Sequence, residues 1–356
     1  MITRGEMPRL RRVCVVAWGG VAVSWELATP GRLAPSLATC AAFLLPATGC
    51  ALHIRRVLLG ELRRSQEIAG AAQRALLRPM PGRIDGLTSA AAQLSASRGA
   101  AVGRDLYEAV PTAHGVRVVI GDVRGHGLPA LGAAAAVLGA FREAAYDEAT
   151  LGGVLRRMER ALGRHVRDRA RSEHPSACQA EPQSPAAAEE FVTVLLLQIA
   201  ADGTLLALNC GHPWPYRMRP GPDLPARPAF EDRVRAEPGF GKGRGGGGPA
   251  QRPVDVQPLD GETLPPLGVV PLPVGAEPHP VGELRPGETL FLHTDGADEA
   301  RDAAGVFFPL RSVLAEAPAP RTPARLVAGV HAALLRHTGG RLADDVALLV
   351  IRNDRS

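Results

Sequence analysis

Aromatic residues are scarce in this chain, with eight Phe, three Tyr and three Trp among 356 residues. Large rings therefore cannot fill its core, and the apolar volume has to come from Ala, Val and Leu. The arginines are scattered rather than interleaved with rings, and the net charge is only +5, which argues against a nucleic-acid groove. Cysteine is sparse as well. None of Cys14, Cys40, Cys50, Cys178 and Cys210 forms a CxxC pair, and three fall in the apolar N-terminal stretch, so neither a zinc site nor a disulfide framework is indicated. His126, His212 and His293 share no ligand-like spacing and offer no soft-metal site. A glycine-rich run, Gly241-Lys242-Gly243-Arg244-Gly245, lacks P-loop spacing, a preceding strand and a following helix.

Hydrophobic residues nevertheless make up 46% of the chain. At about 150 residues per domain the length suits one large domain with appendages, or two domains. Residues 13–28 and 33–54 are nearly uncharged apolar stretches separated by Thr29-Pro30-Gly31-Arg32, the pattern of a membrane hairpin. The second stretch reaches the roughly 20 residues that cross a bilayer, whereas the first is short and carries Glu26. Arg4, Arg9, Arg11 and Arg12 precede the pair, and Arg55, Arg56, Arg63 and Arg64 follow it. By the positive-inside rule both ends lie in the cytoplasm, making 1–12 a basic cytoplasmic N-terminus and 13–54 a two-helix anchor in the cell membrane. A cleaved signal peptide is the rival, but a second apolar stretch and a second basic cluster follow, with no clear small-x-small cleavage site between. Residues 55–81 then read as an amphipathic connector helix ended by Pro79 and Pro81. Val57, Leu58, Leu62, Ile68, Ala72, Ala75 and Leu76 recur mostly at three- and four-residue steps. Such a connector is a candidate homodimer contact, or simply a packing helix.

The larger unit, 82–352, is organised around Val116–Ile120 and the loop Gly121-Asp122-Val123-Arg124-Gly125-His126-Gly127. The apolar run reads as a strand that stops at Asp122. Upstream, Val102–Val110 is joined to it by Pro111-Thr112-Ala113-His114-Gly115, a hairpin signal. The midpoint between 105 and 122 falls inside that turn, so antiparallel pairing brings Asp105 and Asp122 within about a residue of facing each other. Two facing carboxylates repel unless something cationic lies between them.

Helices are expected over Leu128–Ala145 and Leu151–Arg167, a mobile loop over 168–190, and a second hairpin over Phe191–Ile199 and Thr204–Asn209. Residues 219–257, rich in Arg, Pro and Gly, read as a disordered insertion. A strand at Thr289–Thr294 stops at Asp295-Gly296. Ala324–His337 reads as a helix with Thr322 as N-cap and Pro323 at its first position. Asp344-Asp345 immediately precedes the strand Val346–Ile351. A single Asp at a turn is more often a cap than a ligand. As a set of strand-end carboxylates, Asp105, Asp122, Asp295 and Asp344 or Asp345 would suit a hard divalent cation, if the strand ends converge.

Five ordered motifs carry a resemblance: Val102-Gly103-x-Asp105-x-Tyr107; Gly121-Asp122-Val123-x-Gly125-His126-Gly127; Asn209-x-Gly211-His212-Pro213; Thr294-Asp295-Gly296 with Glu299-Ala300-Arg301-Asp302; and Asp344-Asp345-Val346-x-Leu348. Together with Gln73-x-x-Leu76-Leu77-x-Pro79 upstream, the chain over about 67–352 resembles the SpoIIE/RsbU-type serine/threonine phosphatases of the metal-dependent (protein phosphatase 2C-like, PPM) superfamily. The resemblance implies an α/β, four-layer αββα sandwich of two antiparallel sheets flanked by helices. It also implies two Mn2+ or Mg2+ ions held by Asp105, Asp122, the Val123 carbonyl, Asp295 and Asp344, with Asp345 in support, and hydrolysis by a metal-activated water. The implied partner is a phosphorylated regulatory protein, by family analogy an anti-sigma-factor antagonist. Arg104 departs from the family's usual glycine. Its side chain would crowd the hairpin, compete for the carboxylates or bind the substrate phosphate, and the rival function is a pseudophosphatase that serves as a binding or scaffold module.

Overall fold

The computed structural model describes residues 47–61, 76–95, 104–125, 128–173, 190–220, 254–273, 275–317 and 321–355, with single positions 24, 64 and 70. The chain divides into two compact units, 1–65 and 66–356. Apart from Ser24 and 47–54, the expected membrane hairpin lies outside the described residues. Among those described, no helix is long and apolar enough to cross a membrane. Residues 47–61 are helical and expose Leu52, Ile54, Val57, Leu58 and Leu59. Of the expected connector, positions 55–61, 64, 70 and 76 are helical.

The second unit runs β1 (Arg83–Ile84), β2 (Leu87–Leu94), β3 (Asp105–Thr112), β4 (Gly115–Val123), α1 (Leu128–Asp147), α2 (Leu151–Glu173), β5 (Val192–Ile199), β6 (Thr204–Cys210), β7 (Tyr216–Pro220), β8 (Val254–Pro258), β9 (Thr263–Leu264), β10 (His279–Glu283), β11 (Thr289–His293), α3 (Asp295–Asp298), α4 (Leu310–Ala315), α5 (Pro323–His337) and β12 (Val346–Asn353). Two six-stranded sheets form, in the orders β1-β2-β12-β11-β7-β8 and β10-β6-β5-β4-β3, with β9 on β6 in the second. Among the described residues, every strand pairing is antiparallel except β6 with β9, a correction to the wholly antiparallel sheets expected.

Period-two alternation explains the layering. Along β4, Val116, Val118 and Ile120 enter the core between the sheets, whereas Val119 and Val123 turn to the core shared with α1 and α2. On β12, Ala347, Leu349 and Ile351 face the inter-sheet core, and Val346, Leu348 and Val350 face α4 and α5. Each sheet is thus buried on both faces, which is why these strands read as continuous apolar runs. The layers are helix, sheet, sheet, helix, as the resemblance implies. Alanines on α1, among them Ala130, Ala133, Ala134, Ala144 and Ala145, are buried and let the helix lie close on its sheet. Arg117 on β4 is fully buried and donates to the carbonyls of Ala145, Glu148 and Ala149 and to Gln198, so a cation closes the C-terminal end of α1.

Several boundaries differ from expectation. The hairpin begins at Asp105, and residues 102–103 lie outside the described residues. Residues 168–173, expected in a loop, complete α2, and 174–189 lie outside the described residues. The insertion expected over 219–257 is bounded by paired strands, with Arg219 opposite Asp255 and Pro220 opposite Val254, and only 221–253 lie outside the described residues. Strand β2, Leu-Thr-Ser-Ala-Ala-Ala-Gln-Leu, carries an alanine run of helical propensity, and pairing with β12 along all eight residues overrides it. At α5 the expectation holds: Thr322 caps the helix by accepting from the Arg325 amide, with Pro323 next.

Candidate metal centre

The β3–β4 hairpin places Asp105 and Asp122 directly opposite each other. Its end is closed by the Val123 amide, which donates to the Arg104 carbonyl at 3.3 Å. Gly121, just before Asp122, is required by packing, since a Cβ there would lie 2.3 Å from the Thr193 carbonyl oxygen of β5. From the other sheet, Asp295 opens α3 at the end of β11, and Asp344 and Asp345 lead into β12. β11 and β12 are neighbours in register, His293 opposite Leu348. Gly296 lets them meet at this end: a Cβ on it would lie 2.0 Å from the Asp345 carbonyl oxygen.

The carboxylates feel one another. Asp105 is 3% exposed, and burial, then the charges of Asp122 and Asp345, raise its pKa well above the usual range, against a lowering hydrogen bond from Thr294. Burial raises Asp122 to about 6; Arg104 opposes that shift, and Asp295, Asp344 and Asp345 add to it. Asp295 is raised by burial and then by Asp344. Three acidic side chains, Asp295, Asp344 and Asp345, thus act on the Asp122 proton, so the strand ends of both sheets do converge.

A guanidinium stands among them. Arg104 pairs through Nη2 with Asp344, lies 3.7 Å by Nε from Asp345 Oδ2, and donates through Nη1 to the Gly125 carbonyl at 3.3 Å. Its backbone amide also donates to Asp345 Oδ2 at 3.1 Å. Of the three roles open to Arg104 from sequence, competition for the carboxylates is the one this geometry displays. Among the described residues, no three Asp, Glu, His or Cys side chains are grouped to hold an ion.

The donor set still fits a hard cation. Asp105 Oδ2 and Asp122 Oδ1 are buried and have no hydrogen-bond partner among the described residues. Buried carboxylate oxygens left unpaired are costly, and two of them facing each other across a hairpin supply the negative charge and bare oxygen donors that Mg2+ or Mn2+ takes. His126 lies outside the described residues. His212 is buried, with its pKa pushed down to about 3 by burial and then by His293, and so stays neutral.

Three side chains beside this site are not among the candidates the sequence singles out. Thr294 is fully buried, its Oγ1 accepts from the Ala347 amide at 2.9 Å, and its side chain lies near enough to Asp105 to lower that carboxyl's pKa. Thr193 lies beside the Asp122 amide, and His212 beside Thr193. Adjacency to Asp295 marks Thr294, and the Asn209-x-Gly211-His212-Pro213 motif marks His212. Nothing marks Thr193, an ordinary alternating residue of β5.

Comparison with known proteins points the same way. The family model described as Stage II sporulation protein E (SpoIIE) matches residues 112–229 and 250–354. That span includes Asp122, Val123, Asp295, Asp344 and Asp345, and it begins after Arg104 and Asp105. No curated protein matches the chain. Among solved structures, the SiaA-PP2C domain of Pseudomonas aeruginosa is similar with a TM-score of 0.55 and 19% identity, over 83% of this chain and 98% of that one. The RsbU and RsbW domains of a Mycobacterium tuberculosis protein give 0.50 and 21%, over 75% of this chain and 61% of theirs. The PP2C phosphatase domain of SpoIIE from Bacillus subtilis, with a fragment of its regulatory domain, gives 0.50 and 13%, over 76% and 64%. This chain therefore spans about three fifths of the Mycobacterium tuberculosis chain and about two thirds of the Bacillus subtilis one. At these identities the structures establish the shared fold, and the family match carries the assignment. The chain belongs to the SpoIIE family, and its fold is the one it shares with the PP2C-type domains of these structures.

Proposed function

We propose that the chain is a membrane-tethered, Mn2+- or Mg2+-dependent phosphatase that removes phosphate from serine or threonine of a regulatory protein. The observation that carries this reading is the Asp105–Asp122 pair, face to face and with one buried, bare oxygen on each. Asp105, Asp122, the Val123 carbonyl, Asp295 and Asp344 would hold two ions, with Asp345 in support. Such ions, when bound, make water acidic enough to attack phosphorus at neutral pH and stabilise the charge that develops. The chain's own contribution is to fix the donors: β3 and β4 set one pair of carboxylates, Gly296 allows the other strand ends to approach, and Thr294 orients Asp105. Once released from Asp344, the Arg104 fork could grip a phosphate in two-point fashion.

The partner is a phosphorylated anti-sigma-factor antagonist or similar switch protein. Support comes from the SpoIIE family match and from the Mycobacterium tuberculosis relative, whose RsbU domain shares a chain with an RsbW domain. Tethering by 13–54, with the phosphatase unit on the cytoplasmic side, rests on the two apolar stretches and their flanking arginines. The exposed Leu52, Ile54, Val57, Leu58 and Leu59 on helical residues support a lipid or homodimer contact there.

The test is phosphate release from a phosphoserine peptide by the purified chain, with and without Mn2+. Turnover should require the ion, and Asp122→Asn should reduce it at least 100-fold with an unchanged circular-dichroism spectrum. Ion-independent turnover, or full activity in Asp122→Asn, would refute the assignment. A second reading, the scaffold without catalysis, is favoured by one observation, the Arg104 ion pairs with Asp344 and Asp345. Calorimetry separates the two, because Mn2+ binding at two sites supports the enzyme and no binding supports the scaffold.

A further inference from the structure

The acidic strand ends come from different sheets, and a buried histidine lies between them. His212, 4% exposed, follows β6. Its Nδ1 is 3.1 Å from Thr193 Oγ1, and its Nε2 is 3.1 Å from the His293 carbonyl oxygen. A carbonyl can only accept, so Nε2 carries a proton. Burial keeps the ring neutral, which makes Nδ1 the acceptor. Of its two acceptors, His212 Nδ1 at 3.1 Å and the Asp122 carbonyl at 3.5 Å, the Thr193 hydroxyl donates to the nearer ring nitrogen, leaving its lone pairs to the Asp122 amide at 3.3 Å. One direction runs through the whole chain of bonds, from the Asp122 N–H to Thr193 Oγ1, from the Thr193 hydroxyl to His212 Nδ1, and from His212 Nε2–H to the His293 carbonyl.

Asn209 holds the other end of the histidine. Its Oδ1 accepts from the His212 amide and its Nδ2 donates to the His212 carbonyl, each at 2.8 Å. A histidine that merely filled space would not need two bonds of opposite sense and a clamped backbone. Leaving either bond unmade inside the protein would cost the desolvation of a polar group, so the ring has one favoured orientation. The two ends of the relay lie beside the proposed ligands, Asp122 itself at one end and, at the other, the carbonyl two residues before Asp295.

We propose that His212 is a positioning residue that fixes the separation of Asp122 and Asp295, by tying the Asp122 amide through Thr193 to the His293 carbonyl across the two sheets. The inference rests on the phosphatase reading and adds residues to it that bind neither ion nor substrate. Thr193→Val removes the hydroxyl at nearly constant shape, and Thr193→Ser restores it.

Three measurements on the full chain test the relay: the ring nitrogen spectrum of 15N-histidine-labelled protein without metal, Mn2+ calorimetry, and deuterium exchange of the Asp122 amide. The His212 ring should be neutral with its proton on Nε2. Thr193→Val should weaken Mn2+ binding about 10–100-fold, the usual effect of losing a group that orients a ligand, and Thr193→Ser should recover most of it. A proton on Nδ1, or unchanged Mn2+ affinity in Thr193→Val, would overturn the proposal. So would a lower melting temperature in Thr193→Val with no change in affinity, which marks a purely structural role. If the unaltered chain binds no Mn2+, the phosphatase reading fails on its own. The relay is then decided by the ring proton and by whether Thr193→Val speeds exchange at the Asp122 amide.

Discussion

Arg104→Gly is the substitution that most sharply separates competition from assistance at the acidic centre. The guanidinium side chain is 24% exposed, Asp345 9% and Asp344 37%, so the cluster is neither a surface pair nor a fully buried one. Breaking a buried pair from one side costs about 3–5 kcal/mol, and an exposed pair is worth about 0–1 kcal/mol. An intermediate value on the order of 2 kcal/mol is appropriate here. Without added metal, Arg104→Gly should therefore lose about 2 kcal/mol of stability, seen as a melting temperature lower by about 4–8 °C for a domain of this size.

With metal the sign reverses. In the unaltered chain the guanidinium must leave Asp344 before an ion can take that carboxylate, and the variant is spared that step. At about 1.4 kcal/mol per factor of ten, Mn2+ should bind the variant about 30-fold more tightly. Titration calorimetry and thermal melts with EDTA or Mn2+ measure both effects on one preparation, and Arg104→Lys, which keeps a charge but loses the fork, should fall between. Equal or weaker Mn2+ binding in Arg104→Gly would refute competition. If turnover fell as well, the arginine would be assigned to the substrate phosphate.

Two further perturbations probe the surroundings. Asp122 has its carboxyl raised from an ordinary value of 3.8 to about 6. A raised carboxyl favours the folded state while protonated, so this contribution is present below about pH 4 and is lost as pH rises through about 6. Melting temperatures of the metal-free protein should accordingly contain a term that declines over that window, and Mn2+ should offset the decline above pH 6 because it binds the ionised form. Arg117→Met should destabilise the fold by about 3 kcal/mol, since three carbonyls and Gln198 lose a buried charged donor. Lying five residues along β4 from Asp122, roughly 16 Å, it should leave Mn2+ affinity within threefold by calorimetry.

Local elements were the most legible. The facing of Asp105 and Asp122 followed from turn parity alone, because a short antiparallel hairpin leaves few registers open. Thr322 and Pro323 announced the start of α5 for a similar reason, since a cap is made within one turn of chain. Where expectation failed, distant partners had prevailed. The alanine run of β2 became a strand because β12 offered a full ladder and two buried faces. The flanks of the 221–253 segment became β7 and β8 because they pair with each other, and β7 in turn pairs with β11.

By itself, the sequence determined which acidic residues were the candidate donors, that each stood at the end of an apolar run, and that two of them shared a hairpin. These features depend on side-chain period and turn length over fewer than 20 residues. Only the tertiary structure decided that Asp295 and Asp344 come to the same place as Asp122, that Thr294, Thr193 and His212 lie beside them, and that the Arg104 guanidinium stands among the carboxylates. Those outcomes depend on how two sheets pack and on which polar groups are left bare when they do. The balance of burial, charge and hydrogen bonding that settles them is set between segments as far apart in the chain as residues 104 and 345.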